Sequence, residues 1–231
     1  TTNVTIPLLE IINFIFIILI MGYFLKIMKS SINNANKAPK FDHWKIMFID
    51  GIKVSIVNII YLIPVILIAI VFLAINPLNI VPIIKIIEFY PNNVLSMLYD
   101  MLWYLKTGFV VLMLLYTYMI IIYPFINIAV AHMAYNDSKL KTAFKFREIL
   151  HKISTIGWKN FILWYILIKI LFLTISYAGS FILFYAAVIL RNGFGIHIAP
   201  IMPILTFLII APYLSMYFVR SVALFYMSGD V

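Results

Sequence analysis

Five separate stretches of this chain stay apolar for about twenty residues or more, the length at which a helix crosses the hydrocarbon core of a bilayer. They fall at about residues 6–28, 53–75, 108–131, 160–190 and 201–226. Hydrophobic residues make up 65% of the chain and charged residues 11%, with a mean hydropathy of +1.09. A soluble domain is nearer half apolar and a quarter charged, so lipid has to be the solvent for much of this surface. Inside lipid each backbone polar group must be bonded within its own segment, which makes the spans helices. The expected fold class is therefore all-α: one polytopic transmembrane helical bundle over residues 1–231, with about five spans.

The links between spans set an expected orientation. Lys29, Lys37, Lys40, Lys45 and Lys53 follow the first span, and Lys139, Lys141, Lys145, Arg147, Lys152 and Lys159 follow the third. The opposite side has only Lys85, Lys106 and Arg191, with Glu88 and Asp100 beside them. Lysine and arginine concentrate in cytoplasmic loops. A multi-pass protein of the cell membrane is expected, with both basic loops and Val231 in the cytoplasm and Thr1 outside. The net charge of +9 sits beside apolar runs instead of forming a soluble stripe, which argues against nucleic acid as a partner. The bilayer itself, its anionic lipids, and a membrane-protein partner or second copy are the expected partners.

Both basic loops read as cytoplasmic interfacial amphipathic helices, at about 41–52 and 139–156. In the first, Phe41, Trp44, Met47, Phe48 and Ile52 share an arc opposite Asp42, His43, Asp50 and Lys53. In the second, Lys141, Lys145, Glu148 and Lys152 share a face. Such helices either lie at the lipid headgroups or pack beneath their own bundle. Each ends in a Gly-x-Lys before a span, at Gly51 and at Gly157, which suggests a parallel duplication. The outer link at 76–107 contains Pro82 and Pro91 and reads as an interfacial cap, with a helical pattern over 94–106.

Few side chains offer chemistry. Lys169 lies about nine residues into the fourth span, roughly 13 Å deep at helical rise, where a charge needs a partner or water. Tyr165, Ser176 and Ser180 share its stripe, making Lys169, Tyr165 and Ser176 a candidate intramembrane polar site. The alternative is a structural lysine satisfied by hydroxyls or carbonyls. Lys53, Lys141, Lys145, Lys152, Lys159 and Arg220 are candidate contacts for anionic headgroups, with Arg220 placed to snorkel. Pro64, Pro124 and Pro212 each leave a carbonyl four residues back without its donor. The chain has no cysteine, which excludes disulfides and thiolate chemistry. No metal-ligand spacing, phosphate loop or catalytic triad appears, so no catalytic residue, metal or cofactor is expected. Asn3 begins a glycosylation-type sequon on the outer side.

Several of these stretches recur in order. Gly22-Tyr23-Phe24-Leu25-Lys26-Ile27 resembles the G-Y-x-L-R-I that ends a span in the largely archaeal membrane family known as domain of unknown function 4013. Phe41-Asp42-His43-Trp44 resembles its F-D-D-W, and Asp50-Gly51-Ile52-Lys53 its D-G-x-K, with Ile60, Tyr61 and Pro64 for I-Y-x-x-P. Phe144 to Leu150, Gly157-Trp158 and Pro212-Tyr213 before Arg220 extend the resemblance over nearly the whole chain. Lys26 for Arg and His43 for an acid are the departures. The family implies a further span ahead of the first, and no established activity. A non-enzymatic membrane scaffold that engages lipids or partners is the leading expectation, and a small transporter with a site near Lys169 is the alternative.

Overall fold

Helix length follows apolar length in this protein. The computed structural model describes residues 5–33, 35, 37–75, 94–194 and 206–230. Six α-helices run in order through them: α1 (Thr5–Ile32), α2 (Trp44–Ile75), α3 (Val94–Tyr135), α4 (Phe146–Ile156), α5 (Trp158–Phe194) and α6 (Ala211–Met227). Among the described residues there is no strand. Five helical segments are long and apolar enough to cross a membrane: Glu10–Ile32, Trp44–Phe72, Gly108–Tyr135, Trp158–Gly193 and Leu208–Met227. Their flanks carry exposed large hydrophobics such as Phe14, Leu67, Leu112, Ile170 and Ile182. Water would not tolerate apolar surface on this scale.

Several element boundaries differ from those expected. The amphipathic stretch 41–52 and the span from 53 are one helix, α2, which starts at Trp44 and runs unbroken through Gly51. A glycine within a helix costs only about 1 kcal/mol relative to alanine, too little to end a helix flanked by strong formers. The stretch 139–156 is instead two pieces, a 3-10 turn at Leu140–Phe144 and then α4, separated at Lys145. Lys141 and Lys152 therefore do not share one continuous helical face. The pattern over 94–106 is helical, but it forms the first turns of α3 and is continuous with the third span. The rest of the outer link, with Pro82 and Pro91, lies outside the described residues, as do 201–205 of the expected fifth span.

The two Gly-x-Lys sites are not equivalent. Gly157 closes α4 at φ 99°, and its N–H donates to Ile153 O. That left-handed backbone suits a residue without Cβ. Gly51 is helical and sits against α1. A Cβ there would lie 1.9 Å from Ile18 O, and one on Gly22 of α1 would lie 1.8 Å from Met47 O of α2. Ile18 and Gly22 are four residues apart, as are Met47 and Gly51, so each pair lies on one helix face. The two backbones cross at a reciprocal glycine contact.

Contacts divide the chain into two compact units, Thr1–Val57 with Asn127–Val231, and Asn58–Ile126. The first unit holds the largest fully buried side chains: Leu25, Met47, Val57, Ile128, Met133, Ile149, Ile153 and Val222. These come from α1, the start of α2, the end of α3, α4 and α6, which places the core at the lysine-rich end. Trp164 of α5 stacks on Phe225 of α6 at 4.4 Å and donates to Ser221 Oγ at 2.9 Å. Gly179 of α5 faces Ile210, the last residue of a π-helical turn at Thr206–Ile210. Pro212 is the second residue of α6, which continues directly from that turn, and it has no N–H to donate back into the turn. In the second unit Pro64 and Pro124 stay within their helices. One residue beyond the carbonyl expected to be freed by Pro64, Tyr118 Oη donates to Tyr61 O at 2.9 Å.

Candidate functional site

The residues that define the lysine-rich end come from the sequence stretches singled out above. Tyr23 Oη of α1 donates to Pro39 O at 3.0 Å, and its ring meets Phe41 edge-on, which in turn meets Trp44. Lys26 donates to Lys40 O at 2.7 Å, to Asp42 O at 3.3 Å and to the Asp42 carboxylate. The hydrogen bond from Lys26 holds the Asp42 carboxyl below the usual carboxylate range. The link between α1 and α2 is thus fastened back onto α1. A cavity of about 150 Å³ beneath it is lined by Gly22, Lys26, Lys29, Asp42, Met47 and Asp50.

Asp50 is the centre of the arrangement. It is 6% exposed, and three groups donate to it: Lys53 Nζ at 3.1 Å, Lys29 Nζ at 3.3 Å and Ser138 Oγ at 3.3 Å. A buried carboxylate persists only with such partners. Ser138 reaches it from just beyond α3, where Asp137 and Ser138 adopt φ 56° and 58°. Left-handed backbone on residues with a Cβ costs about 1–2 kcal/mol each. Ser138 N–H donates to Met133 O at 2.9 Å, which helps to hold that turn.

A second polar cluster ties α3, α4 and α6 together. His132 is 6% exposed. Its Nδ1 lies 2.6 Å from Tyr226 Oη, and its Nε2 lies 3.3 Å from Glu148 Oε2. A carboxylate only accepts, which places the proton of a neutral imidazole on Nε2 and leaves Nδ1 to accept from Tyr226. Lys145 donates to Glu148 Oε1 at 2.8 Å and keeps that carboxyl below its ordinary range. Lys152 Nζ lies 4.9 Å above the Tyr226 ring.

The candidate residues read from the sequence are thereby sorted. Lys169 Nζ lies 5.5 Å from the ring centres of both Tyr165 and Phe218, an aromatic cradle on α5 and α6. Ser176 is half-buried and Ser180 exposed on the same helix. Lys53, expected at lipid headgroups, has its ammonium 3.1 Å from the carboxylate of Asp50, three residues back on the same helix. Lys145 and Lys152 are engaged by Glu148 and Tyr226, whereas Lys141, Arg147 and Lys159 are exposed and Arg220 is half-buried. Asp50 and His132 are the residues that sequence reading undervalued. Asp50 lay inside a quoted motif, but its partner Ser138 is 88 residues away. Among the described residues no three His, Cys, Asp or Glu side chains are grouped to hold a metal ion.

Five apolar helices with a lysine-rich, hydrogen-bonded end define a multi-pass helical membrane protein. The chain belongs to the family described as Protein of unknown function (DUF4013), which matches residues 6–184. No curated protein and no solved structure matches the chain.

Proposed function

We propose that the protein is a non-enzymatic membrane scaffold of the cell membrane, whose basic face lies in the cytoplasm and engages anionic lipids. The observation that carries this reading is α4. It buries Ile149 and Ile153 against the protein and leaves Phe146 and Leu150 exposed. Lys141, Arg147 and Lys159 stand exposed on and around it. Apolar side chains flanked by cations suit the boundary between acyl chains and anionic headgroups, where each cation contributes about 1 kcal/mol. Transport through a site at Lys169 has less support, because its ammonium already lies against two aromatic rings, a setting that satisfies a buried cation.

Reconstitution in nanodiscs of mixed phosphatidylcholine and phosphatidylglycerol tests the proposal. The lipid retained after detergent extraction should be enriched in phosphatidylglycerol. Changing Lys141, Arg147 and Lys159 together to Gln should return it toward the bulk ratio. Unchanged enrichment sinks the lipid-engaging face, and solute flux in proteoliposomes abolished by Lys169→Met would favour transport instead.

A further inference from the structure

The cavity of about 150 Å³ between α1 and the start of α2 is lined wholly by residues between Gly22 and Asp50. Water in the liquid takes up about 30 Å³ per molecule, so the space admits one small molecule of a few heavy atoms. Part of its wall is apolar, from Gly22, buried Met47 and exposed Ile46. Ile46 and His43 both line the cavity and are exposed, so it is open on the side they form. The rest of the lining is charged. Two ammonium groups from α1, Lys26 and Lys29, meet the carboxylates of Asp42 and Asp50.

One group of each sign keeps bonding capacity to spare. An ammonium has three N–H groups, and Lys26 directs its own to Lys40 O, Asp42 O and Asp42 Oδ1. The Lys29 ammonium has one hydrogen-bond partner among the described residues, Asp50 Oδ2 at 3.3 Å. Asp42 Oδ1 accepts from Lys26, whereas Asp42 Oδ2 has only His43 Nε2 near it, at 3.9 Å, too far for a hydrogen bond. The side chain of Lys29 is 32% exposed and that of Asp42 47%, so a ligand can reach both. A lone anion drawn to Lys29 would lie close to two carboxylates, and a lone cation drawn to Asp42 close to two ammonium groups. In a partly apolar cavity each repulsion is stronger than in water. A molecule with one charge of each sign avoids both.

We infer that this cavity binds a small zwitterion carrying a primary ammonium and an anionic group. The anionic group takes the unspent N–H groups of Lys29, and the ammonium donates to Asp42 Oδ2. A quaternary ammonium has no N–H to give that oxygen, so the site selects a primary amine. The zwitterion is either the ethanolamine phosphodiester of a lipid headgroup or a free amino compound from the aqueous side. Exposed Trp44, Ile46 and Ile49 give the tails of a lipid an apolar approach to the opening. The site uses none of the cations of the face around α4, so the two readings stand or fall separately.

Delipidated protein in a maltoside detergent is titrated with phosphatidylethanolamine and with phosphatidylcholine under native mass spectrometry. Phosphoethanolamine, ethylamine and inorganic phosphate are titrated in parallel by calorimetry. One phosphatidylethanolamine should bind ahead of phosphatidylcholine, or phosphoethanolamine ahead of ethylamine and phosphate, by about tenfold or more. Asp42→Asn and Lys29→Gln should each weaken that binding about tenfold, as loss of a charge-assisted hydrogen bond does. Lys159→Gln should leave it unchanged. Binding of phosphatidylethanolamine alone assigns the site to headgroups, binding of phosphoethanolamine alone to water-borne zwitterions, and binding of both to either source. Failure of both to bind overturns the inference. So does phosphate or ethylamine binding as tightly as phosphoethanolamine, or equal weakening by Lys159→Gln. Asp42→Asn keeps an amide oxygen for Lys26 and decides the matter if Lys29→Gln, which also frees Asp50, does not fold.

Discussion

At the scale of single residues, the charge that matters most is Asp50. Its side chain is 9% exposed, while those of Lys29 and Lys53 are 32% and 30% exposed. Removing one member of a buried pair costs about 3–5 kcal/mol, and the partly solvated lysines bring the figure down. Asp50→Ala should therefore destabilise the protein by about 2 kcal/mol, and Asp50→Asn by less, since its amide oxygen still accepts a bond. Reversible unfolding in mixed micelles measures both. A double-mutant cycle with Ser138→Ala should show coupling, because the two side chains share one hydrogen bond. The aspartate was legible as part of Asp50-Gly51-Ile52-Lys53, but a sequence cannot show that Ser138 turns back to it through two left-handed residues. The same holds for His132, whose partners Glu148 and Tyr226 lie on two other helices.

At the scale of helices, the spans were readable because length and apolarity alone decide them, whereas their ends were not. Gly51 read as a junction because a Gly-x-Lys recurs between amphipathic helix and span, yet its missing side chain serves the crossing of α1 and α2. An alanine at Gly22 or Gly51 would place its methyl inside a backbone carbonyl of the opposing helix, so the helices must part. Gly22→Ala and Gly51→Ala should each cost about 1–3 kcal/mol or more, the range for overpacking a close contact. The double variant should cost less than the sum, because the first methyl has already separated the pair. Gly157→Ala strains one turn away from the crossing, at φ 99° and ψ 127°, and should cost about 1–3 kcal/mol. Thermal unfolding of the four proteins in the same detergent tests this, and a double Gly22, Gly51 variant that costs the full sum of its singles would refute the crossing.

At the scale of the whole molecule, the lysines act at two stages that a sequence does not separate. The insertion machinery reads Lys and Arg beside each span before the chain has folded, so every basic residue of both rich loops counts toward orientation. After folding, Lys26, Lys29, Lys53 and Lys145 turn to Asp42, Asp50 and Glu148. A count of loop lysines therefore bears on orientation and overstates the face left for lipid. Because the chain has no cysteine, single cysteines at Thr2 and at exposed Ser154 test the proposed orientation directly. An impermeant maleimide should label Thr2→Cys and spare Ser154→Cys in right-side-out vesicles, and do the reverse in inverted ones. Exchanging Lys53 for Gln should shift the labelling pattern no more than loss of any other single loop cation, and should in addition lower stability through Asp50. Exchanging Lys141, Arg147 and Lys159 together should instead send a fraction of the chains into the membrane the other way round. Labelling of Ser154→Cys from the outside in the wild-type background would overturn both the orientation and the proposed engagement of cytoplasmic anionic lipid.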